Sequence, residues 1–153
     1  MRSRRRAFVA ALAGMLVAAR FSPPARAEPQ RSQAKLVASE WSAIRRAIDD
    51  QRKALKAGDA RKAFSYASPE IRAQFRTPDT FIAMVRDGYG ALLEARYVEF
   101  LEGAVIEGAV IQPLRLVAPD NSVLVALYTM QRQKDGRWRI AGCVLAPSTV
   151  QAA

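Results

Sequence analysis

The sequence predicts an α+β protein in which helices precede a four-stranded antiparallel sheet. Apolar residues recur at helical spacing between residues 36 and 56, and two Ser/Thr–Pro pairs then mark further helix starts. From Tyr97 onwards the pattern changes to β-branched and aromatic runs separated by turn residues. Helices followed by strands are typical of the α+β class.

The first predicted helix is amphipathic and ends near Gly58, a residue that favours helix C-termini. Asp59 can cap a short second helix. Ser68–Pro69 and Thr77–Pro78 each place a capping residue before a proline at the first helical position, so they predict two more helices. The apolar face of the first helix consists of Val37, Trp41, Ile44, Ile48 and Leu55.

The strand region is divided by turn signals. The pentapeptide Glu-Gly-Ala-Val-Ile occurs twice in succession from residue 102, and an odd period reverses the faces of a strand. This repeat therefore predicts a turn at Glu107–Gly108. Asp135–Gly136 favours a two-residue hairpin turn, which places Gln131 opposite Ile140 and Tyr128 opposite Cys143. The predicted strands span about residues 97–106, 109–117, 122–133 and 137–146.

Both faces of this last hairpin are apolar at their centres, whereas a sheet covered on one side alternates apolar and polar residues. If the helices cover one face, the second face meets another molecule, most simply a second copy in a homodimer. Alternatively, the helices wrap both faces. One face holds Val125, Leu127, Thr129, Trp138, Ile140 and Val144. The other holds Ala126 and Tyr128 with the candidate interface residues Leu124, Met130, Cys143 and Leu145.

Residues 1–27 predict a cleavable signal peptide. A basic start precedes an apolar run at 7–19 and the small-residue triplet Ala25–Arg26–Ala27, which favours cleavage after Ala27. The apolar run is shorter than the ~20 residues of a membrane-spanning helix, so we expect no stable membrane anchor. Residues 28–35 then form a flexible lead-in, and 36–148 a single domain. We expect a periplasmic or secreted protein, exported by the Sec or the twin-arginine route.

Removal of this segment changes the charge. The whole chain carries +10, but six of its 24 basic residues lie before residue 28 and all 14 acidic residues lie after Ala27, which leaves +4. The remaining charges are interspersed, and there is no basic stripe with interleaved aromatic residues. The sequence therefore argues against nucleic-acid binding.

Composition also excludes several chemistries. The chain has no histidine, which excludes Ser-His-Asp and Cys-His catalysis and His-liganded zinc. Its one cysteine excludes an internal disulfide and any CxxC motif. We predict no catalytic residue, metal site or cofactor.

Four polar or amphipathic residues are candidates for the lining of a pocket. Gln51 interrupts the apolar stripe of the first helix, where its amide needs a partner, either a backbone group or a ligand. Tyr66, Tyr89 and Tyr128 suit a pocket wall, because each has an apolar ring and a polar tip, but the same property suits the edge of a core.

Several spaced segments between residues 44 and 146 agree in order with one bacterial family. They include Ile48-x-x-Gln51, Ala63-Phe64-x-x-Ala67-Ser68-Pro69-x-Ile71-x-x-x-Phe75, Phe81-x-x-Met84-Val85-x-x-x-Tyr89, Gln112, Tyr128-x-Met130 and Asp135-Gly136-x-Trp138-Arg139-Ile140-x-Gly142-Cys143. This pattern resembles domain of unknown function 4864. The resemblance implies a nuclear-transport-factor-2-like (cystatin-like) fold, in which a cone of helices cradles a curved sheet, often with a cavity and a dimer interface.

Two functions remain open. The sequence favours a non-catalytic exported protein that binds a small apolar or amphipathic ligand, or a protein partner. The alternative is a small isomerase- or lyase-type enzyme, which needs a buried carboxylate within reach of a tyrosine.

Overall fold

A computed structural model describes residues 35–148. The predicted signal peptide and residues 28–34 of the predicted lead-in lie outside the described residues. Between residues 35 and 148, no helix is long and apolar enough to cross a membrane.

Five helices form the first half of the domain. The predicted helix starts at Ser68 and Thr77 are confirmed, because their hydroxyl oxygens accept hydrogen bonds from the backbone N–H groups of Ile71 and Thr80. Asp59 caps the second helix through the N–H of Lys62, as predicted. The helices are α1 (Ala38–Lys56), α2 (Ala60–Ser65), α3 (Pro69–Phe75), α4 (Pro78–Gly88) and α5 (Gly90–Glu94).

The second half is an open antiparallel sheet of five strands, and not the four that the sequence predicts. The strand order is β1-β3-β4-β5, and β2 also pairs with β3. The repeat does mark a turn, because Glu107 and Gly108 both have positive φ (49° and 82°) between β2 and β3. The strands are β1 (Tyr97–Phe100), β2 (Ala104–Ile106), β3 (Ala109–Val117), β4 (Val123–Arg132) and β5 (Trp138–Pro147).

The predicted first strand is divided in two because its middle has other partners. The side-chain amide of Gln112 donates to the carbonyl of Leu101 at 2.8 Å and to that of Pro113 at 2.9 Å, so a side chain replaces ladder hydrogen bonds there. Gly103 lies against the ring of Trp41 on α1, which would collide with any Cβ at this position. The helix layer therefore approaches the sheet closely between β1 and β2.

The β4–β5 hairpin has a three-residue loop, 134–136, where the sequence predicts two residues. The N–H of Gln133 donates to the carbonyl of Arg137 at 2.8 Å, and the N–H of Gly136 to the carbonyl of Gln133 at 2.9 Å. Gly136 has φ of 81°, the left-handed conformation that closes three-residue loops. The turn residues were identified correctly, but the length of the loop was wrong.

This longer loop changes the register of the hairpin. Gln131 lies opposite Arg139, so the predicted pairing of Gln131 with Ile140 is wrong. A β-bulge farther along then restores the predicted pairing of Tyr128 with Cys143. The bulge also corrects the predicted faces, because it moves Trp138 to the side that carries Tyr128.

The helices cover one face of the sheet. Met130, Trp138 and Ile140 are buried in a core cluster with Ile44 and Ile48 of α1. Leu124, Cys143 and Leu145, which are partly buried, pack against the same cluster. The four candidate interface residues, Leu124, Met130, Cys143 and Leu145, therefore lie on the covered face, and the prediction that they form an open sheet surface is wrong.

The opposite face of the sheet has no helix on it among the described residues. The strand registers place Tyr97, Ile106, Leu127 and Val144 on this uncovered face. These are four of the five large apolar side chains that are exposed within residues 35–148, the fifth being Val37. The apolar character of both faces is thus confirmed, with a different set of residues on the open side.

Candidate functional site

A cavity of about 230 Å³ lies between the helices and the covered face of the sheet. It forms where the core cluster on the sheet meets a second cluster between α1, α2 and α4, and Tyr89 contacts both clusters. Side chains from all the helices but α2, and from β4 and β5, line it. Most of the lining is apolar and includes Ile71, Phe75, Phe81, Met84, Leu92 and Ile140.

The chain between α2 and α3 fixes one wall of the cavity. The N–H of Ile140 donates to the carbonyl of Tyr66 at 2.9 Å, and the N–H of Ser68 donates to the carbonyl of Ile140 at 2.8 Å. This short parallel bridge covers part of the free edge of β5. Because Ser68 also caps α3, the bridge holds α3 and its residues Ile71 and Phe75 beside the sheet.

Gln51 lines the cavity and is buried. Its side-chain nitrogen donates to the backbone carbonyl of Ala63 in α2 at 3.2 Å. The amide nitrogen is therefore satisfied by a backbone group, one of the two alternatives that the sequence left open.

Tyr89 lies between α4 and α5 and also lines the cavity. Its hydroxyl donates to the backbone carbonyl of Cys143 at 2.9 Å, a contact between residues that are 54 positions apart. This hydrogen bond ties the helical layer to the edge strand β5.

Tyr128 is the most deeply buried of the candidate residues that line the cavity, with 1% of its surface exposed. Its hydroxyl makes no hydrogen bond of ordinary geometry among the described residues, and the polar group beside it is the weakly accepting thiol of Cys143. Burial raises the pKa of Tyr128 well above its usual value; the neighbouring Cys143 raises it further, and the charge of Arg52 opposes the rise. The hydroxyl consequently stays protonated and remains a hydrogen-bond donor.

Cys143, a lining residue that the sequence analysis did not assign to the pocket, lies opposite Tyr128 on β5. Burial raises the pKa of its thiol to about 12, against an opposing effect of the Tyr128 hydroxyl. The thiol is therefore a neutral, weakly polar part of the cavity wall.

Tyr66, the fourth candidate, does not line the cavity. Its backbone takes part in the bridge to β5, and its half-buried side chain packs against the core cluster on the sheet. The structure thus brings Gln51, Tyr89 and Tyr128 together and leaves Tyr66 outside.

The wall contributed by α3 and α4 was missed by the sequence analysis. Ile71 and Phe75 are four residues apart and share one face of α3, while Phe81 and Val85 do the same on α4. This spacing was a usable signal, but apolar spacing alone does not distinguish a cavity wall from a filled core.

Among residues 35–148, no charged side chain lines the cavity. Arg52, a buried cation whose charge acts on the Tyr128 hydroxyl, lies outside the lining and pairs with Asp49 at 3.7 Å. Within residues 35–148 there is also no cluster of His, Cys, Asp or Glu that could hold a metal ion. The cavity therefore offers apolar contact and a few neutral polar groups.

Residues 38–153 match a family model that is described as Domain of unknown function (DUF4864). The match confirms the family resemblance that the spaced segments predicted. No curated protein matches the chain. The family description assigns no activity, so the function has to be argued from the geometry of the domain.

Proposed function

The chain belongs to the family of domain of unknown function 4864, and we propose that it is a non-catalytic protein that binds a small, largely apolar ligand in the cavity. The observation that carries this proposal is the composition of the wall, which is mainly aliphatic and aromatic, with neutral polar groups from Gln51, Tyr89 and Tyr128. Such walls are typical of small-molecule sites, where apolar contact supplies affinity and a few polar groups supply orientation.

The size of the cavity limits the ligand. Pockets for drug-sized ligands have volumes of about 300–1,000 Å³, and this cavity has about 230 Å³. A ligand with one ring or a short alkyl chain fits this space, and a larger one would extend past the half-buried Met84 and the exposed Gln74.

The alternative function, an isomerase or lyase, requires a carboxylate base inside the cavity. No Asp or Glu side chain within residues 35–148 lines it, and none of them is buried. Tyr128 could supply a donor for such a reaction, but its base would be missing. The wall composition therefore supports binding over acid–base catalysis.

The experiment is a titration of the full chain with ethylbenzene, followed by amide chemical shifts in solution NMR. We expect shifts for amides of Ile71, Phe75 and Tyr89 and none in β2. Met84→Trp fills the open side of the cavity and should weaken binding at least about tenfold, which corresponds to the loss of ~1.4 kcal/mol. Ala83→Trp adds the same ring at the neighbouring, exposed position and should bind as the unmodified chain does.

Two results would contradict the proposal. The first is that ethylbenzene leaves all amide shifts unchanged, and the second is that Met84→Trp and Ala83→Trp bind it equally well. Either result would mean that the space between the helices and the sheet does not accept a ligand.

We propose, second, that the uncovered sheet face joins two copies of the chain in a homodimer. The specific observation is that most of the exposed large apolar side chains described above lie together on this face. At about 4.8 Å between strands and about 3.3 Å per residue, the face measures roughly 20 by 30 Å. That area, about 600 Å², approaches the ~800 Å² that each partner buries in a standard interface.

The charges on this face are also compatible with contact between two copies of the chain. Arg115 on β3 and Glu99 on the edge strand β1 form an ion pair on this face. When two copies meet about a two-fold axis, each copy presents both charges to the other, so neither sign is left without a partner.

Sedimentation velocity tests the dimer with two matched variants. Val144→Arg places a charge within the proposed interface and should give a monomer, because the arginine would be buried without a partner. Val37→Arg makes the same change at a valine of nearly equal exposure (59% against 61%) outside the sheet, and should stay dimeric. An unmodified chain that is monomeric at a concentration of about 100 µM would refute this proposal.

A further inference from the structure

Two buried side-chain polar atoms make no hydrogen bond of ordinary geometry within residues 35–148: the Tyr128 hydroxyl oxygen and Nε of Arg52. The polar group beside the hydroxyl is the Cys143 thiol, whose sulfur is a weak acceptor. Nearly all buried polar groups in native proteins are paired, because an unpaired one keeps its cost of desolvation. Of the two residues, Tyr128 lines the cavity and Arg52 does not. Tyr128 thus lines the proposed binding site and carries a buried hydroxyl that is not used as a donor.

Two other donors of the wall are already used. The Tyr89 hydroxyl donates to the carbonyl of Cys143, and the Gln51 nitrogen donates to the carbonyl of Ala63. Cys143, a small residue, also lines the cavity and lies beside the Tyr128 hydroxyl.

The proton of the Tyr128 hydroxyl needs an acceptor. The side chains around the cavity determine whether a neutral or a charged acceptor is favoured. A carboxylate would be buried in a wall to which the described residues contribute no cation, and a buried charge without a partner is strongly disfavoured. Arg52 cannot serve it directly, since it lies outside the lining, donates to the carbonyl of Leu92 at 3.5 Å and pairs with Asp49. A neutral carbonyl oxygen needs a single donor and carries no charge to desolvate.

We infer that the ligand of this cavity is a small apolar molecule with a neutral carbonyl group, whose oxygen accepts a hydrogen bond from the Tyr128 hydroxyl. This inference rests on the proposed function, because it assigns the ligand class of the same cavity. The apolar body of the ligand contacts the wall formed by α3 and α4, and its carbonyl points towards β4.

The experiment compares three probes with one benzene ring each: acetophenone, its carbonyl-free isostere ethylbenzene, and the anion benzoate. Dissociation constants are measured by NMR for the full chain and for Tyr128→Phe. The unmodified chain should prefer acetophenone to ethylbenzene and bind benzoate most weakly. In Tyr128→Phe the ratio of acetophenone affinity to ethylbenzene affinity should fall about tenfold, the effect of one lost hydrogen bond.

Tyr128→Phe is a suitable variant because it keeps the ring and removes a hydroxyl that makes no hydrogen bond of ordinary geometry within residues 35–148. We expect its thermal unfolding to occur at the same temperature as in the unmodified chain, or higher. The matched control is Tyr66→Phe, which removes a hydroxyl from a tyrosine outside the cavity and should leave the acetophenone preference intact.

Equal affinity ratios in the unmodified chain and in Tyr128→Phe would overturn the inference, and so would tightest binding of benzoate. In both cases ethylbenzene would still bind, and the proposed function would stand. If no probe, ethylbenzene included, shifts the amides of the cavity, the proposed function itself fails.

Discussion

At the scale of single residues, Cys143 is the side chain whose chemistry the fold changes most clearly. Burial raises the pKa of its thiol from the ordinary 9.0 to about 12. Because the thiolate is the reactive form, the native chain at pH 8 has about 1,000-fold less of it than an unfolded chain. We expect alkylation of the native protein by iodoacetamide to be at least about 100-fold slower than in concentrated urea.

The control for this prediction is an exposed thiol on the same domain. Ala73→Cys in a Cys143→Ala background places the cysteine at an exposed position of α3, and it should react at the same rate in native and unfolded protein. Rapid alkylation of native Cys143 would show that the thiol is not buried as the structure describes.

The raised pKa of the Cys143 thiol also makes the free energy of unfolding fall as the pH rises. Below pH 9 the native and unfolded states both hold the proton, so the contribution of Cys143 is fully present. Between pH 9 and about 12 the unfolded state loses the proton first, and the free energy of unfolding falls as the pH rises. Cys143→Ala should reduce this fall when unfolding by urea is measured at pH 8, 9 and 10.

Part of the candidate site could be predicted from single residues. Gln51 stood out because an amide in an apolar helical stripe needs a partner, and the structure places it in the cavity wall. The location of Tyr66 outside the cavity could not be predicted in this way. Its position depends on the pairing of its backbone with Ile140, a residue 74 positions away that no local pattern indicates.

At the scale of secondary-structure elements, the contact of α1 with the break between β1 and β2 makes a sharp prediction. A Cβ at Gly103 would overlap the ring of Trp41, so Gly103→Ala forces α1 away from the sheet. We expect the free energy of unfolding, measured with urea, to fall by about 1–3 kcal/mol.

Gly88→Ala is the matched control, because a Cβ at this position meets no atom within 4 Å and the φ angle is not positive. Alanine at the end of α4 should leave stability unchanged or raise it by up to about 1 kcal/mol. Equal loss of stability in both variants would mean that the contact between Trp41 and Gly103 is not tight.

The elements themselves were predicted better than the connections between them. Capping residues act within one turn, so Ser68 and Thr77 identified their helices from local sequence alone. The register of β4 and β5 depended on one additional residue in the loop and on the bulge that compensates for it. A shift of one residue reverses the faces of a strand, which is why Trp138 and Ile140 were assigned to the wrong side.

At the scale of the whole molecule, the order of helices and strands was sufficient to predict the α+β class. The division of the first strand was not predictable from strand propensity, because Gln112 and Trp41 cause it from distant parts of the chain. The apolar character of both sheet faces was predictable because the β4–β5 hairpin lacks the alternation of apolar and polar residues that a sheet covered on one side shows. Which face the helices cover was not, since it depends on how the helical layer packs on the finished sheet.

We propose that the chain is exported and that residues 1–27 direct this export; its final charge and its surroundings depend on this step. Their basic start, apolar run and Ala25–Arg26–Ala27 triplet have the order of a cleavable signal. We expect the mature protein in its own host to begin at Glu28, by intact mass and N-terminal sequencing of the extracytoplasmic fraction. Ala27→Leu removes the small residue before the cleavage point and should leave the signal attached.

A second pair of substitutions separates the two export routes. Replacing both arginines of the pair at 5–6 with lysine preserves the positive charge that Sec export uses, and removes the arginine pair on which the twin-arginine route depends. Unchanged processing therefore indicates the Sec route, and accumulation of the precursor indicates the twin-arginine route. Recovery of the unmodified chain as an intact cytoplasmic protein that begins at Met1 would contradict export altogether, and the ligand would then have to be sought among small carbonyl compounds of the cell interior.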